Sequence, residues 1–334
     1  MRIRLGPLVS GQGNELRNIA GFAMVRPMSD VIPLSAGAMR ATLSTTGARL
    51  LSLSYAGTPV IMSADPDVHE GWYDVYPGAL IGPLANRVRG GRVPIGGAMH
   101  QMVCNEGGIT ALHSGPAGLD VLLWQVILQT DHSVHLRHTL ADGDMGLPGD
   151  RAVNVIFALE DAALTLDIRA TTTAPTPISI AHHPYWRLGD VQDHLLQINA
   201  DSYLPTDATN VPTGVIAPVA GTPFDHRAPC QMHRDTDHNF CTGDRQLAEP
   251  MRVATLTGSG GLRLRIDTTE PGLQVYSGAH LPDLPGTDIA PLAGIALEPQ
   301  GWPDAPNNPK FPSVITTPER PYHQITRYRF DRAT

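Results

Sequence analysis

Short runs in which apolar residues fall at every second position recur along this chain, and no window sustains an apolar stripe at helical spacing. Val134-His-Leu-Arg-His-Thr-Leu140 sets Val134, Leu136, His138 and Leu140 on one face. Val121–Leu128, Val153–Leu159, Leu164–Ile168 and Leu262–Asp267 follow the same habit, with Gly, Pro, Asp and Asn between them. Such a pattern predicts antiparallel sheets, and the lack of a strand–helix–strand rhythm disfavours a doubly wound nucleotide-binding fold. The chain has 334 residues with no low-complexity linker or clear repeat, so the expected fold is all-β, a large antiparallel β-sandwich in one domain over residues 34–334. Residues 1–33 are weakly patterned. They are expected to be an N-terminal extension or an arm packed on the domain, with Met28 as an alternative start.

Charge narrows the chemistry. Acidic residues number 32 and basic ones 24, for a net charge of −8, and Lys310 is the single lysine. A phosphate-binding P-loop needs a lysine after glycine, and Lys310 follows Asn-Asn-Pro. Schiff-base chemistry would rest on that one residue. The arginines are scattered and outnumbered, which argues against a nucleic-acid partner or a polybasic membrane surface. No apolar run approaches a membrane span, and the N-terminus has no continuous apolar signal segment. Cys104, Cys230 and Cys241 form no Cys-x-x-Cys pair, so the expectation is a cytoplasmic protein without a disulfide framework.

Histidine clusters offer several readings. His132, His135 and His138 would share a face on a helix and suit a metal, but on a strand His135 points away from His138. His233–Phe240 is rich in Asp and His, and either ligates a metal or hydrogen-bonds its own loop. His182 and His183 end an apolar approach, and on a strand only one of them enters a given site. Glu298 closes the apolar run Leu292–Leu297. Partly desolvated there, it is either a general base with a raised pKa or the ion-pair partner of an arginine.

Several segments, in order from about residue 36 to 330, together resemble the aldose 1-epimerase (galactose mutarotase) family. They include Gly78-Ala-Leu-Ile-Gly-Pro-Leu-Ala-Asn-Arg-Val-Arg-Gly-Gly-Arg-Val93, Leu112-His-Ser-Gly115 and Asp142-Gly-Asp-Met-Gly-Leu-Pro-Gly149. His182-His-Pro-Tyr-Trp186, Gly221-Thr-Pro-Phe-Asp225 and Asp237-His-Asn-Phe240 continue the series. Pro271-Gly-Leu-Gln-Val-Tyr276, Leu297-Glu-Pro-Gln-Gly-Trp302 and Phe311-Pro-Ser313 complete it. Each match is weak alone, and the ordered series is strong.

The resemblance implies a galactose-mutarotase-type sandwich with a sugar cleft on one sheet, and an enzyme that interconverts α and β anomers of free aldoses. It implies Glu298 as general base and His183 as general acid. Asn86, Arg87 and His113 would lie around the sugar oxygens, Asp237 would hold hydroxyls, and Gln274 would contact the sugar. No metal or organic cofactor is implied. The expected partner is a monosaccharide, and the expected assembly is a monomer or homodimer. Departures fall near the expected cleft: His182 stands where the family has Asn, Ser114 where it has Gly, and Pro299-Gln-Gly-Trp302 where it has Thr-Gln-His-Phe. Two alternatives accompany this reading. One is a hexose 6-phosphate epimerase using Arg87, Arg89 and Arg92 for the phosphate, and the other is a sugar sensor of the same fold without catalysis.

Overall fold

The computed structural model describes residues 29–63 and 75–332. Among these residues it contains strands, turns and short 3-10 segments, and no α-helix. An eight-stranded antiparallel sheet runs in the order Gln125–Gln129, Ser133–Leu140, Arg151–Glu160, Ala163–Thr172, Tyr322–Arg332, Leu262–Thr268, Met251–Thr257, Leu195–Ile198. A six-stranded sheet runs Tyr185–Trp186, Ile295–Gln300, Gly272–Tyr276, Asp237–Cys241, Ser202–Leu204, Ala217–Pro218. A four-stranded sheet spans Val31–Ala36, Met39–Ser44, Arg49–Tyr55 and Thr58–Pro59.

Alternation explains how the layers meet. In Ser133–Leu140 the side chains of Val134, Leu136 and Leu140 are buried, as the period-2 pattern predicts. Leu273, Val275 and Leu297 do the same from the six-stranded sheet, and Leu34 and Leu43 from the four-stranded one. All join a single apolar cluster that extends from Ile32 to Phe330. The Trp186 ring of the six-stranded sheet packs 4.7 Å from Tyr328 of the eight-stranded one, so bulky aromatics fill the gap between layers.

Three expectations shift. Residues 1–28 of the expected extension lie outside the described residues, while Val31–Pro33 already pair as strand, so the sandwich opens ahead of residue 34. Ile32 and Leu34 bury on one face, which is why pairing begins there. Of the Val121–Leu128 run, only the part from Gln125 is strand. Before it, Trp124 turns into the core and donates its indole N–H to the Leu119 carbonyl at 3.2 Å. The apolar run Leu292–Leu297 is strand only from Ile295, since Leu292 has φ 62°, and Glu298 sits in the interior of that buried strand rather than closing it.

Candidate active site

The six-stranded sheet has one apolar and one polar face. Register sets Gln274 opposite Glu298, and Tyr276 opposite both Ala296 and Asp237. Directly opposed residues share a face, so Asp237, Gln274, Tyr276 and Glu298 rise from the same side of the sheet. Their neighbours Leu273, Val275 and Leu297 enter the core. The polar side floors a cavity of about 350 Å³, within the size range of small-molecule sites. Asn86, Arg87, His113 and His183 complete the walls, so all seven residues expected from sequence line this one cavity.

His183 is placed by backbone. Its N–H donates to the Ala79 carbonyl at 3.0 Å, and its own carbonyl accepts from Gly78 at 2.8 Å. Gly78 has φ 67°, and a Cβ there would lie 2.0 Å from the Leu50 carbonyl oxygen, so only glycine fits. The His183 Nε2 stands 3.5 Å from Glu298 Oε1. His182 goes the other way, its ring packed between Phe157 and Tyr328 in the core. The imidazole that enters the site is therefore His183.

Asn86, His113 and Ser114 all hold left-handed backbone, at φ 67°, 51° and 74°. Such conformations are costly for residues with a side chain and concentrate at functional sites. Asn86 and His113 are locked by mutual bonds, and Ser114 Oγ accepts from the Leu84 N–H at 2.9 Å. The Asn86 N–H donates to His113 Nδ1 and the His113 N–H donates to the Asn86 carbonyl, each at 3.1 Å. Because Nδ1 accepts, the proton of neutral His113 sits on Nε2, which makes that atom a donor. Asn86 Oδ1 accepts from the Arg87 N–H at 2.8 Å.

Arg87 is clamped on two sides. Its Nε and Nη2 donate to the two Glu106 oxygens at 2.8 Å each, and Nη1 donates to Asp237 Oδ2 at 3.4 Å. Thr110 Oγ1 donates to Glu106 at 2.6 Å, and Gln274 Nε2 donates to Asp237 Oδ1 at 2.6 Å. Against the cost of burial, the bonds from Arg87 and Thr110 hold the Glu106 carboxyl below the ordinary carboxylate range, so it is ionised at neutral pH.

Burial dominates the histidine–glutamate pair. Glu298, only 2% exposed, is pushed well above its ordinary pKa by desolvation and by the Asp237 charge, with Arg87 opposing. Its Oε2 has no hydrogen-bond partner among the described residues. Desolvation, aided by the Arg49 charge, lowers His183 to about 4. Both shifts push the pair toward its neutral forms, a protonated carboxyl beside an unprotonated imidazole. Among the described residues Glu298 forms no ion pair with an arginine, and its close titratable neighbour is His183.

A buried polar network braces the two segments from behind. Tyr322 Oη accepts from the Ile180 N–H at 3.3 Å and donates to Gln324 Oε1 at 2.8 Å or Glu270 Oε1 at 3.1 Å. Gln324 Nε2 donates to the Pro299 carbonyl at 3.1 Å, and the Gly301 N–H donates to Ser179 Oγ at 2.9 Å. The strand bearing Glu298 and the approach to His183 are thereby tied together.

Sequence reasoning missed Glu106 and Tyr76 as site residues, and it quoted Tyr185 and Tyr276 without assigning them to the cleft. Tyr276 lies two residues beyond Gln274, and Tyr185 two beyond His183, so alternation could have placed both. The histidine clusters gather no metal set. Among the described residues no group of three or more His, Cys, Asp or Glu could hold an ion. His135 bonds Asn154 at 2.9 Å, and His138 bonds the Leu123 carbonyl at 2.9 Å.

An all-β sandwich that lays a buried imidazole beside a buried carboxylic acid in a small polar pocket has the build of an acid–base enzyme for a small polar molecule. The sequence profile of the aldose 1-epimerase family matches residues 30–329. Galactose mutarotase of Rattus norvegicus is 35% identical over 277 residues, covering 77% of this chain and 80% of that protein. Aldose 1-epimerase of Escherichia coli (strain K12) is 31% identical over 343 aligned positions, covering 94% of each. The crystal structure of a GalM/aldose epimerase homologue from C. elegans superposes with a TM-score of 0.84 at 26% identity, over 92% of this chain and all of that one. The chain belongs to the aldose 1-epimerase family and is an isomerase acting on carbohydrate.

Proposed function

We propose that the chain interconverts the α and β anomers of free aldoses, with Glu298 and His183 as the proton carriers. The observation that carries this is their 3.5 Å approach inside the polar pocket. In the reactive tautomer the shared proton sits on His183 and the charge on Glu298. Glu298 takes the proton of the anomeric hydroxyl while His183 gives its proton to the ring oxygen. The C1–O5 bond breaks, and the open chain carries an aldehyde. Ring opening leaves a neutral acid and a neutral imidazole, the state that desolvation favours. Rotation about C1–C2 presents the other face of the aldehyde, and closure returns both protons. No proton is exchanged with solvent over the cycle.

Neighbours supply fixed donors. Arg87 and the Nε2–H of His113 can meet charge developing on sugar oxygens, a role in which preorganised donors are effective. Asp237, held by Gln274, can accept from sugar hydroxyls. The hexose 6-phosphate reading is less well supported, because Arg87 is paired to Glu106 and Asp237, and Arg89 donates to Asp207 at 2.7 Å. A purely binding role leaves the buried pair without a purpose. Three free cysteines support a reducing, cytoplasmic setting, and the sugar chemistry supports a place in carbohydrate metabolism. Among the described residues, no helix is long and apolar enough to cross a membrane.

The test is polarimetry of freshly dissolved α-galactose, α-glucose and arabinose. The protein should accelerate the approach to the anomeric equilibrium of at least one, and Glu298→Gln should slow that catalysed rate by ~10²–10⁴. If no aldose responds, or the variant matches wild type, the assignment fails.

A further inference from the structure

Among the described residues, Arg87 is the one arginine or lysine that lines the pocket. A guanidinium receives carboxylates and phosphates best through two parallel N–H groups on one edge. The Nε/Nη2 edge of Arg87 is taken, both nitrogens donating to Glu106, and the Nη1 side of the other edge is turned to Asp237. Two carboxylates therefore stand against one fixed cation on this wall. Glu106 itself lines the cavity, and 36% of its side chain remains exposed, so its charge faces arriving ligands.

We propose that Glu106 is a specificity-determining residue: by occupying the bidentate edge of Arg87 and adding a second carboxylate to the wall, it excludes anionic sugars and reserves the pocket for uncharged ones. This rests on the reading above that the pocket binds an aldose. The carboxylate acts twice, once by repelling an incoming anion and once by denying it the guanidinium fork. Asp237 cannot do the second job, since it meets only Nη1.

The experiment compares dissociation constants of galacturonate and galactose, measured by calorimetry on the intact protein. The quantity read is the ratio of the two. Glu106→Gln and Glu106→Ala should each lower it by ~10-fold in favour of the acid, as expected when a charge near the ligand is removed and a guanidinium edge is freed. Glu106→Asp keeps the charge and should retain part of the discrimination. In wild type, raising salt from about 0.05 M to about 0.5 M should also favour galacturonate, because screening weakens the repulsion. A ratio unchanged in both Gln and Ala variants, or a wild-type ratio that moves against galacturonate with salt, overturns the proposal. Absence of binding by either sugar overturns it together with the aldose reading. Polarimetry on the same samples separates the two, since mutarotation with an unmoved ratio sinks only the role of Glu106.

Discussion

His183 Nε2 and Glu298 Oε1 meet at 3.5 Å although the two residues stand on opposite sides of a strand pairing: Tyr185, two positions after His183, pairs with Ala296, two before Glu298. The pair is a product of sheet register, and each partner sets the environment of the other.

Two groups that share one proton act as a unit, so their removal should not be additive. Glu298→Gln and His183→Asn should each cost ~10²–10⁴ in mutarotation rate. The double variant should cost about the same as the worse single one. A polarimetric double-mutant cycle checks this, and full additivity would show that the residues work independently.

The pH profile follows from proton count. Activity needs one proton on the pair. Burial lowers His183 to about 4 from an ordinary 6.5, so a second proton enters only in acid. Burial also raises Glu298, which favours keeping the single proton as pH rises. On the acid side kcat/KM should therefore fall with a midpoint near 4. An acid limb centred near 6.5, the value of ordinary imidazole, would contradict it.

Gly78→Ala tests the backbone seat of His183. The new Cβ would lie 2.0 Å from the Leu50 oxygen, so the turn that bonds His183 must move. Loss of ~3 kcal/mol of stability or more is expected where a bulky group meets backbone at positive φ. Residual folded protein should have a strongly reduced kcat. Denaturant titration and polarimetry together read both effects, and a fully active, equally stable variant would show that the turn has slack.

Glu270 gives a stability prediction whose sign can be worked out. Burial raises its carboxyl to about 7 from 4.5, with Gln246 and Tyr322 opposing through hydrogen bonds. The native state then holds the proton more tightly than the unfolded chain, so stability falls as pH rises from the unfolded value through about 7, by up to ~3 kcal/mol. Glu270→Gln removes the buried charge that forms at high pH. Thermal melts should show the variant gaining a few degrees on wild type at about pH 8 relative to about pH 5. An equal difference at both pH values would refute the linkage.

Much of the site was legible because its residues sit in local motifs. Asn86-Arg87, Leu112-His113, His183, Asp237, Gln274 and Glu298 were named from such segments, and all line one cavity. Glu106 gave no such signal. It meets Arg87 only because Arg87 pairs with Leu112, which brings the loop before Thr110 alongside. The choice between His182 and His183 came from the resemblance and not from the residues themselves. Parity says that they diverge, and only the packing of His182 between Phe157 and Tyr328 decides which one is core. Val121–Trp124 misled because a buried apolar turn and a strand look alike over four residues.

The pocket draws its side chains from strands and loops spread between Val75 and Glu298, whose neighbours in space are remote in sequence. No short fragment of the chain contains it. Folding of such topologies is governed by slow, long-range pairing. During refolding, catalysis should therefore appear only once these separated segments have met, which makes the enzyme's own activity a clock for the assembly of its pocket.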